Sequence, residues 1–523
     1  MFIKDKFQLA IGELVKGKIK TLPDLAFAKR EISKKFKIPL PSNIDLLKAY
    51  HSLVKSKRTK PNLVLEYLFR KRRVRSLSGI VNVSVLTKPY PCPGKCLFCP
   101  NEPGIPKSYL KKEPAVQRAI LTKFDPKKQI KARLDSLEMT GHPIDKIELR
   151  IIGGTWSFYP KSYQERFIEK CFETCNRKIS KNLIEAQKIN ERAKHRIIGI
   201  TIETRPDYID EEEIKRLRYL GVTRVELGVQ SIYNEVLRIS KRGHNIKSTI
   251  KATRLLKDAG FKVSYQIMPN LLGSTFSKDI KMFKELFSNN NFKPDLLKIY
   301  PLALVKEAPL YKLYLRKKFK PYSKNKLIKL LTEIKKQIPD YVRIERVIRD
   351  IPAEDVVEGG VRTSNLREIV QEELKDKNLK CKCIRCREVG EDYDPKEKLT
   401  LFREDYEASG GKEIFLSFEN KEKTKLYALL RLRIINKAEV RPRPLVAAMV
   451  REIHTYGQLV PISGRSEAVQ HRGLGKRLMA EAERIAKKEF KLNKISVIAG
   501  VGVRGYYRKL GYKLENTYMV KKL

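Results

Sequence analysis

The sequence has little cysteine, a single tryptophan and no long apolar run, and these scarcities exclude whole classes of protein. Eight cysteines among 523 residues are too few for a disulfide scaffold, and in a cytoplasmic chain they would stay reduced. No segment approaches the roughly 18 apolar residues of a membrane helix, and the first residues do not resemble a signal peptide. We therefore predict a cytoplasmic protein that does not cross a membrane.

Acidic residues are also scarce, because 60 Asp and Glu face 111 Lys and Arg, for a net charge of +51. The length predicts about three or four domains, and a hydrophobic content of 41% is typical of a folded chain. A charge of this size is most easily balanced by a polyanion, which favours nucleic acid as the partner. Part of the lysine excess could also reflect genome composition.

Three cysteines share one short loop rich in proline and glycine. Cys92, Cys96 and Cys99 lie in PCPGKCLFCP, a C-x3-C-x2-C pattern with an aromatic residue before the last cysteine. Three thiolates at this spacing can hold three irons of a [4Fe-4S] cluster and leave the fourth iron open. An open iron can chelate S-adenosylmethionine and reduce it to a deoxyadenosyl radical. The alternative is a zinc loop, but zinc prefers four ligands and paired C-x2-C units.

A second group, Cys381, Cys383 and Cys386, has the pattern C-x-C-x2-C between lysines and arginines. We interpret it as a structural zinc site at the surface. The sequence leaves the fourth ligand open among His244, His454 and Asp392. The remaining cysteines, at positions 171 and 175, fall on one face of a predicted helix and are interpreted as buried small side chains.

The first 80 residues carry 20 Lys and Arg and six Asp and Glu, about twice their share of the net charge. Apolar residues at helical spacing, such as Leu46, Leu47 and Tyr50, predict short helices over residues 1–75. Two basic stretches with aromatic residues between them suit phosphate contacts and base stacking on a folded RNA. The predicted RNA-binding residues are Lys55, Lys57, Arg58, Lys60, Arg70, Lys71, Arg72, Arg73 and Arg75.

Between about residue 76 and residue 350, short apolar runs alternate with helical patterns. The predicted strands are 80–86, 147–152, 198–202, 224–229, 262–268 and 296–300, with 342–348 as an additional candidate. Strands that alternate with helices form parallel β/α units, so we predict a partial (βα)6 barrel. Active residues of such folds lie at the C-terminal strand ends. The cysteine loop, Gly153, Glu203 and Gln230 follow such strands, and Lys298 lies near the end of the sixth.

The pattern changes in residues 396–523, after a predicted linker over 351–395 that holds the second cysteine group. Residues 413–418 and 427–434 alternate as antiparallel strands, and further strands are predicted at 449–456 and 495–499. Between these last two lies a glycine loop that precedes a helix, with the residues Gln470, Arg472, Gly473, Leu474, Gly475 and Lys476. Bare backbone N–H groups at the start of a helix suit a pyrophosphate. The chain is therefore predicted to be an α/β protein with two catalytic halves.

The whole chain resembles the catalytic subunit of Elongator in its single-chain archaeal form. The motifs that carry the resemblance are PCPGKCLFCP, GGTWSFYP, GITIETRPDY, VELGVQSIY, KRGHNIKST, VREIHTYG, QHRGLGKRLM and GVGVRGYYRKLGY. The resemblance implies a radical S-adenosylmethionine (SAM) barrel joined to a GNAT acetyltransferase domain. It also implies an enzyme that modifies the wobble uridine of tRNA with S-adenosylmethionine and acetyl-CoA. Eukaryotic members work in a multi-subunit complex, and a homodimer is left open for this chain.

The resemblance also implies roles for particular residues. Gly153, Gly154, Glu203, Arg205 and Gln230 would line the S-adenosylmethionine site, and a lysine before the second strand would contact acetyl-CoA. In the acetyltransferase half, the glycine loop would hold the pyrophosphate. Lys146 is the lysine before the second strand, and the other residues implied for the acetyl-CoA site are Glu452, Ile453, His454, Thr455 and Tyr506. The wider superfamily usually has Gly-Gly-Glu where this chain has Thr155, which leaves open what binds the methionine amine.

We expect the two halves to act together, since carbon 5 of uridine is a poor nucleophile. A radical on the acetyl methyl group could add to that carbon, and hydrolysis of the thioester would leave a carboxymethyl group. Tyr506, Tyr507 and Lys298 are the predicted catalytic residues. The alternatives are a protein lysine acetyltransferase with the iron–sulfur barrel as a scaffold, an iron–sulfur RNA-binding module without catalysis, and a radical enzyme for a small molecule.

Overall fold

The computed structural model describes residues 3–17, 19–70, 78–390, 394, 396–435, 446–457 and 473–523. Several predicted site residues lie outside this described part, namely Lys71, Arg72, Arg73, Arg75, Asp392, Gln470 and Arg472. In the part of the chain that is described, no helix is long and apolar enough to cross a membrane.

The chain begins with four helices, α1 (Ile3–Lys16), α2 (Leu22–Phe36), α3 (Asn43–Lys55) and α4 (Leu63–Phe69). Capping boxes start two of them, because Thr21 and Ser42 each exchange hydrogen bonds with an aspartate three residues later. Their apolar faces form a core that is separate from the main one, with Leu46, Leu47 and Tyr50 fully buried. The predicted helices at the start of the chain are confirmed.

Seven parallel strands form the first sheet, in the order of the sequence. They are β1 (Val81–Leu86), β2 (Lys146–Ile152), β3 (Arg196–Thr204), β4 (Arg224–Gln230), β5 (Lys262–Ile267), β6 (Leu296–Ile299) and β7 (Arg343–Arg346). The curled half-barrel is the predicted architecture, and the additional candidate strand is its seventh member. The barrel helices are α5 (Pro114–Leu121), α6 (Pro126–Met139), α7 (Lys161–Asn176), α8 (Leu183–Asn190), α9 (Glu211–Tyr219), α10 (Asn234–Ile239), α11 (Ile246–Asp258), α12 (Phe276–Ser288), α13 (Leu310–Leu315), α14 (Lys324–Lys336), α15 (Leu366–Asp376) and α16 (Ile384–Arg387).

Side chains alternate along the barrel strands between an aliphatic face and a polar face. Leu149, Leu227 and Leu297 belong to the main core beneath the helices, together with the buried Cys171 and Cys175. The residues between them along the strands, such as Arg150 and Lys298, line a cavity inside the sheet. Parallel strands buried on both faces are usually apolar throughout, so the alternation marks the inner face as a polar surface.

The second sheet also has seven strands, in the order β13-β14-β12-β11-β10-β9-β8. They are β8 (Thr400–Ala408), β9 (Gly411–Glu419), β10 (Leu426–Ile435), β11 (Ala448–Thr455), β12 (Lys494–Val497), β13 (Lys513–Glu515) and β14 (Tyr518–Lys522). Helix α17 (Leu474–Arg484) precedes β12, and the short α18 (Arg504–Arg508) follows it. The predicted apolar face of α17 is confirmed, since Leu478, Met479 and Ala482 are buried in the main core.

The second sheet packs against the N-terminal strand ends of the barrel through buried charges. We call the group the interface cluster, and its members are Lys257, Asp258, Asp295, Glu413, Arg431, Arg433, Arg451 and Glu452. Arg451 of β11 donates hydrogen bonds to Asp295 at the start of β6, to Glu413 of β9 and to the carbonyl of Phe261. Four cations face four carboxylates, so the cluster is electrically balanced.

Residues 351–390, predicted as most of a linker, fold against both sheets. The N–H of Ile384 donates to Val342 at the start of β7, and the N–H of Val389 donates to Leu426 of β10. Val370, Leu374 and Ile384 are part of the main core. The segment therefore connects the barrel to the second sheet by hydrogen bonds and packing. The domain boundaries after residues 75, 350 and 395 stay predictions.

Candidate functional site

The cysteine loop follows β1 and lies at the C-terminal edge of the barrel. Cys96 is buried, while Cys92 and Cys99 are half-buried. Arg205 passes beneath the loop, because a Cβ atom at Gly94 would lie 2.6 Å from its Nη1. The Arg205 guanidinium donates two hydrogen bonds of 2.7 and 2.9 Å to Asp207, which orients it. The remaining nitrogen of Arg205, Nη1, is buried without a partner. A buried guanidinium with one unpartnered N–H group beneath three thiols suits a group with negative charge.

A second arginine approaches the same loop from the segment between α10 and α11. Arg242 is buried, and it donates to Cys96 Sγ at 3.6 Å and to the carbonyl of Gly228 at 2.7 Å. A hydrogen bond from Cys99, together with the charges of Arg242 and Arg205, lowers the pKa of Cys96 to about 5. Cys96 is therefore a thiolate at neutral pH, as a metal ligand must be. The donor set fits a [4Fe-4S] cluster held by three cysteines.

Further polar atoms without partners surround the loop, as expected where a small molecule binds. Gly153 has a left-handed φ of 133°, and a Cβ atom there would lie 2.0 Å from Thr87 Oγ1. Gln230 also has a positive φ, of 69°, and its Oε1 is buried without a hydrogen bond. Both ring nitrogens of the buried His244 lack partners as well. These atoms fit the polar groups of an S-adenosylmethionine molecule.

Below the loop, the inner face of the barrel carries the lumen cluster, formed by Glu148, Arg150, Glu203, Arg224, Glu226, Lys298 and Glu345. Glu226 forms ion pairs with Lys298 and, at 2.7 Å, with Arg150. Although burial and Arg150 oppose it, Glu226 and Glu203 raise the pKa of Lys298, which is therefore cationic. Burial raises the pKa of Glu203, whose carboxylate accepts a 2.7 Å hydrogen bond from Tyr109.

One cavity of about 1650 Å³ joins the two halves of the chain. Its wall includes Cys99 and Glu203 at one end, and Glu452 and His454 of β11 at the other. Burial lowers the pKa of His454 to about 4, and its Nε2 has no hydrogen-bond partner. Several arginines also line the cavity, namely Arg118, Arg133, Arg343, Arg346, Arg349, Arg367 and Arg385.

An open strand edge lies beside the start of α17. Strand β11 pairs with β12 only over residues 448–450, whereas its other edge pairs with β10 through Thr455. The backbone of Glu452, Ile453, His454 and Thr455 is thus unpaired with β12 in the described structure. Gly473 caps α17 with a left-handed φ of 69°. This edge and the helix start together suit the amides and pyrophosphate of a coenzyme A arm.

Tyr506 lies at the same place, because a Cβ atom at Gly475 would lie 3.0 Å from Tyr506 Oη and 4.0 Å from Thr455 Oγ1. Its ring is 37% exposed. Tyr507 is buried and packs edge-on against Tyr506 and Tyr512. Its placement favours a role in packing, and its catalytic role stays a prediction.

Lys146 opens β2 rather than preceding it, at the barrel end that faces the second sheet. Burial lowers its pKa. The adjacent strand meets the loop before α18, where a Cβ atom at Gly502 would lie 2.7 Å from Arg196 Cβ. Lys146 is thus on the side of the barrel that carries the second sheet. Two further predicted acetyl-CoA contacts, Leu474 and Lys476, lie in the first turn of α17.

The second cysteine group forms a compact triad, in which the sulfur atoms of Cys381, Cys383 and Cys386 lie within 4.8 Å of one another. Cys383 is fully buried, so the expectation of a surface position is wrong for this residue; the 351–390 segment packs into the core. No other His, Cys, Asp or Glu of the described residues joins the group. His244 instead lies 4.0 Å from Asp207, and His454 contacts Tyr456.

The described RNA-binding candidates divide into two types. Lys55, Lys57, Arg58 and Lys60 are exposed at the end of α3 and in the turn that follows. Arg70 is half-buried, and it donates a 2.7 Å hydrogen bond to the carbonyl of Gly141. Arg70 therefore attaches the helical segment to the barrel as well as adding charge.

Several residues of the site were not predicted. Arg242 lies in the segment KRGHNIKST, which contributed to the resemblance, and His244 of the same segment was considered only as a possible zinc ligand. Tyr109 bonds to Glu203, and Lys107 donates a 2.6 Å hydrogen bond to the carbonyl of Gly94. The available signals were a basic Arg-Gly-His segment after a strand and the polar residues directly downstream of the cysteine loop.

Comparison with known families defines the class of the protein. Residues 90–286 match the radical SAM superfamily, and residues 294–376 match the radical SAM C-terminal domain. The cysteine loop, the half-barrel and the orphaned polar atoms are thus those of a radical SAM enzyme.

Relatives along nearly the whole chain narrow the class. The chain is 48% identical to the tRNA uridine(34) acetyltransferase of Methanocaldococcus infernus over 92% of both proteins. It is 40% identical to Elongator complex protein 3 of Homo sapiens over 88% of this chain and 87% of that protein. The solved structure of M. infernus Elp3 lacking residues 1–46 matches with a TM-score of 0.75 and 46% identity, over 86% of this chain and all of that one. The chain belongs to the tRNA uridine(34) acetyltransferase and Elongator protein 3 family.

Proposed function

We propose that this protein modifies the wobble uridine of tRNA, using acetyl-CoA and S-adenosylmethionine. The single observation that carries the proposal is the shared cavity, which is lined by the cysteine loop at one end and by the open edge of β11 at the other. An acetyl donor held at β11 and a group held at the loop would then face one enclosed space. The proposed product carries a carboxymethyl group at carbon 5 of the uridine.

Three kinds of residue would hold the cofactors. Cys92, Cys96 and Cys99 would bind a [4Fe-4S] cluster, and Arg205 and Arg242 would balance its charge. When bound, this cluster and S-adenosylmethionine supply one-electron reduction and hydrogen abstraction. Gly153, Gly154 and Gln230 would contact S-adenosylmethionine, and the Oε1 atom of Gln230 has no other partner. The triad of Cys381, Cys383 and Cys386 would hold a structural zinc ion.

The chain's own groups would orient the acetyl donor. The free backbone edge of β11 would bind the pantetheine amides, and the start of α17 would face the pyrophosphate. Tyr506 Oη lies close to Gly475 in the first turn of α17, so it could donate a hydrogen bond to the thioester sulfur. Lys298 would pair with Glu203 and Glu226 inside the barrel rather than act on substrate directly.

The rim of the cavity distinguishes RNA from a protein substrate. Eleven Lys and Arg and seven Asp and Glu line the cavity, so its net positive charge attracts phosphates, whereas a substrate lysine would be repelled. This argues against the alternative of a protein lysine acetyltransferase. The proposal also keeps the expected cytoplasmic location, because tRNA is the proposed substrate.

The test is reconstitution with iron and sulfide under anaerobic conditions, followed by addition of tRNA, acetyl-CoA, S-adenosylmethionine and reductant. Nucleoside mass spectrometry should detect carboxymethyluridine, and the Cys96→Ala variant should form none. Modification that survives Cys96→Ala would contradict the proposal. Acetyl-CoA hydrolysis, measured with and without tRNA, should be stimulated by tRNA at low salt and lose that stimulation as salt rises.

A further inference from the structure

We propose that a second basic surface, beside the cysteine loop, binds the phosphate backbone of the RNA substrate. We call it the α13 patch, and it consists of helix α13 and the turn after it, up to Lys320. Its five exposed cations are Lys312, Arg316, Lys317, Lys318 and Lys320. The inference rests on the proposed function in one respect, namely that RNA is the substrate.

The α13 patch is fixed to the cysteine loop by its own packing. The N–H of Leu310, the first residue of α13, donates a 2.8 Å hydrogen bond to the carbonyl of Leu97. Leu310 is buried in one small core with Cys96 and Phe98, and Phe319 packs against that core from the far end of the patch. A phosphate held by the patch would therefore lie at a fixed position beside the entrance to the barrel.

The exposed cations of the α13 patch are not neutralised by ion pairs, although the Glu358 carboxylate accepts a hydrogen bond from Tyr314 of the same helix. Residues 308–332 contain eight Lys and Arg and no Asp or Glu. Within the described structure, none of the five exposed cations forms an ion pair, whereas other surface lysines such as Lys112 and Lys278 do. Uncompensated cations in a fixed array are what a polyanion needs, since each contact releases a condensed counterion from the RNA.

Aromatic side chains lie among these cations. Tyr311 and Tyr314 stack with ring centroids 6.2 Å apart and planes at 19°. Leu315 is 61% exposed next to them. Aromatic rings beside cations are typical of surfaces that bind RNA loops, where unpaired bases stack on the rings. The combination favours an RNA with an exposed loop over a plain duplex.

A second copy of this chain is the competing occupant of the patch. With a net charge of +51, a partner copy would bring further positive charge toward five uncompensated cations. Charge complementarity therefore favours RNA. The exposed lysines after α3 lie on the separate helical segment, so the two surfaces would contact different parts of one RNA.

The test uses the full-length protein and compares two triple variants of equal charge change. The patch variant carries Arg316→Glu, Lys317→Glu and Lys318→Glu. The control variant carries Lys487→Glu, Lys488→Glu and Lys491→Glu, at exposed positions after helix α17. Binding of a fluorescent tRNA is measured by anisotropy between about 50 and 200 mM salt. The slope of log affinity against log salt should fall by about 2–3 for the patch variant, and by less than about 1 for the control.

Three outcomes decide the proposal. A tenfold or larger loss of affinity that is specific to the patch variant, with an unchanged melting temperature, supports it. Equal salt slopes for the two variants overturn it. A change in oligomeric state with unchanged tRNA affinity also overturns it, and assigns the patch to a second copy. The binding measurement does not require catalysis. Wild-type protein that binds tRNA but forms no modified uridine would therefore contradict the proposed function without contradicting the proposal about the α13 patch.

Discussion

The interface cluster and the lumen cluster differ in what surrounds their charges. In the interface cluster, Arg433 bonds to Asp258, Glu413 and two backbone carbonyls, and four cations balance four carboxylates. The lumen cluster has three cations for four carboxylates and borders a cavity where Gln230 Oε1 and His454 Nε2 have no partner. Apart from Glu452, which also lines the cavity, the difference separates charges that join two sheets from charges that are arranged for a ligand.

The largest expected effect comes from breaking the balanced cluster. Arg451→Met would leave Asp295 and Glu413 short of a buried partner, so the free energy of unfolding should fall by about 3–5 kcal/mol. Urea unfolding followed by far-UV circular dichroism measures this change. A loss below about 1 kcal/mol would show that the interface cluster is not required to join the sheets.

A pair of glutamates tests the comparison through pH, because their pKa values move in opposite directions. Against the effect of burial, Lys262 and Arg431 lower the pKa of Glu452 to about 2. A lowered pKa adds stability above the unfolded value of about 4.5, and this stability is lost as pH falls toward 2. Glu452→Gln should therefore remove about 3 kcal/mol at pH 7 and little at pH 2.

Glu203 of the lumen cluster should behave in the opposite way. Burial raises its pKa, so its ionised form costs stability, and the protein gains from Glu203 only at pH values below its folded pKa. Glu203→Gln should leave stability at pH 7 equal or higher while it weakens S-adenosylmethionine binding. Denaturation curves at several pH values, with calorimetric titration of S-adenosylmethionine, measure both effects. Equal destabilisation by the two substitutions would remove the distinction between the clusters.

Lys298→Met is expected to affect chemistry more than folding. Glu226 would still have Arg150 at 2.7 Å and Arg224 at 3.7 Å, and the cavity admits water to the freed carboxylate. We expect a stability loss below about 3 kcal/mol and a fall in carboxymethyluridine formation of at least about tenfold. Urea unfolding and nucleoside mass spectrometry check the two values. Unchanged product formation would show that the lumen cluster is structural.

The smallest effect on stability is predicted for Tyr506→Phe, because the ring is partly exposed and keeps its packing. The free energy of unfolding should change by less than about 0.5 kcal/mol, while tRNA-stimulated acetyl-CoA hydrolysis falls. Tyr507→Ala is the contrasting variant, and it should cost about 3 kcal/mol because it empties a buried aromatic site. If both variants lose stability but neither loses tRNA-stimulated hydrolysis of acetyl-CoA, we would conclude that Tyr506 does not act on the thioester.

Much of the barrel could be predicted because its information is local. All seven strands follow from short apolar runs between helical patterns, and the C-x3-C-x2-C spacing places three ligands on one loop. The interface cluster could not be predicted, since Arg451 and Asp295 are 156 residues apart and nothing in either segment marks the pairing. The same holds for Arg242, which reaches Cys96 across 146 residues. Buried arginines are selected by contacts that only the folded chain defines.

The polar inner face of the barrel has a kinetic consequence. A complete eight-stranded barrel is filled by layers of aliphatic side chains, whereas this seven-stranded sheet is lined with polar and charged side chains from Lys262 and Arg343 at one end to Tyr300 at the other. An acetyl donor at β11 and an RNA at the cysteine loop would then occupy opposite ends of one cavity. Initial rates should follow a random order of addition, so that acetyl-CoA and RNA each bind productively whichever arrives first.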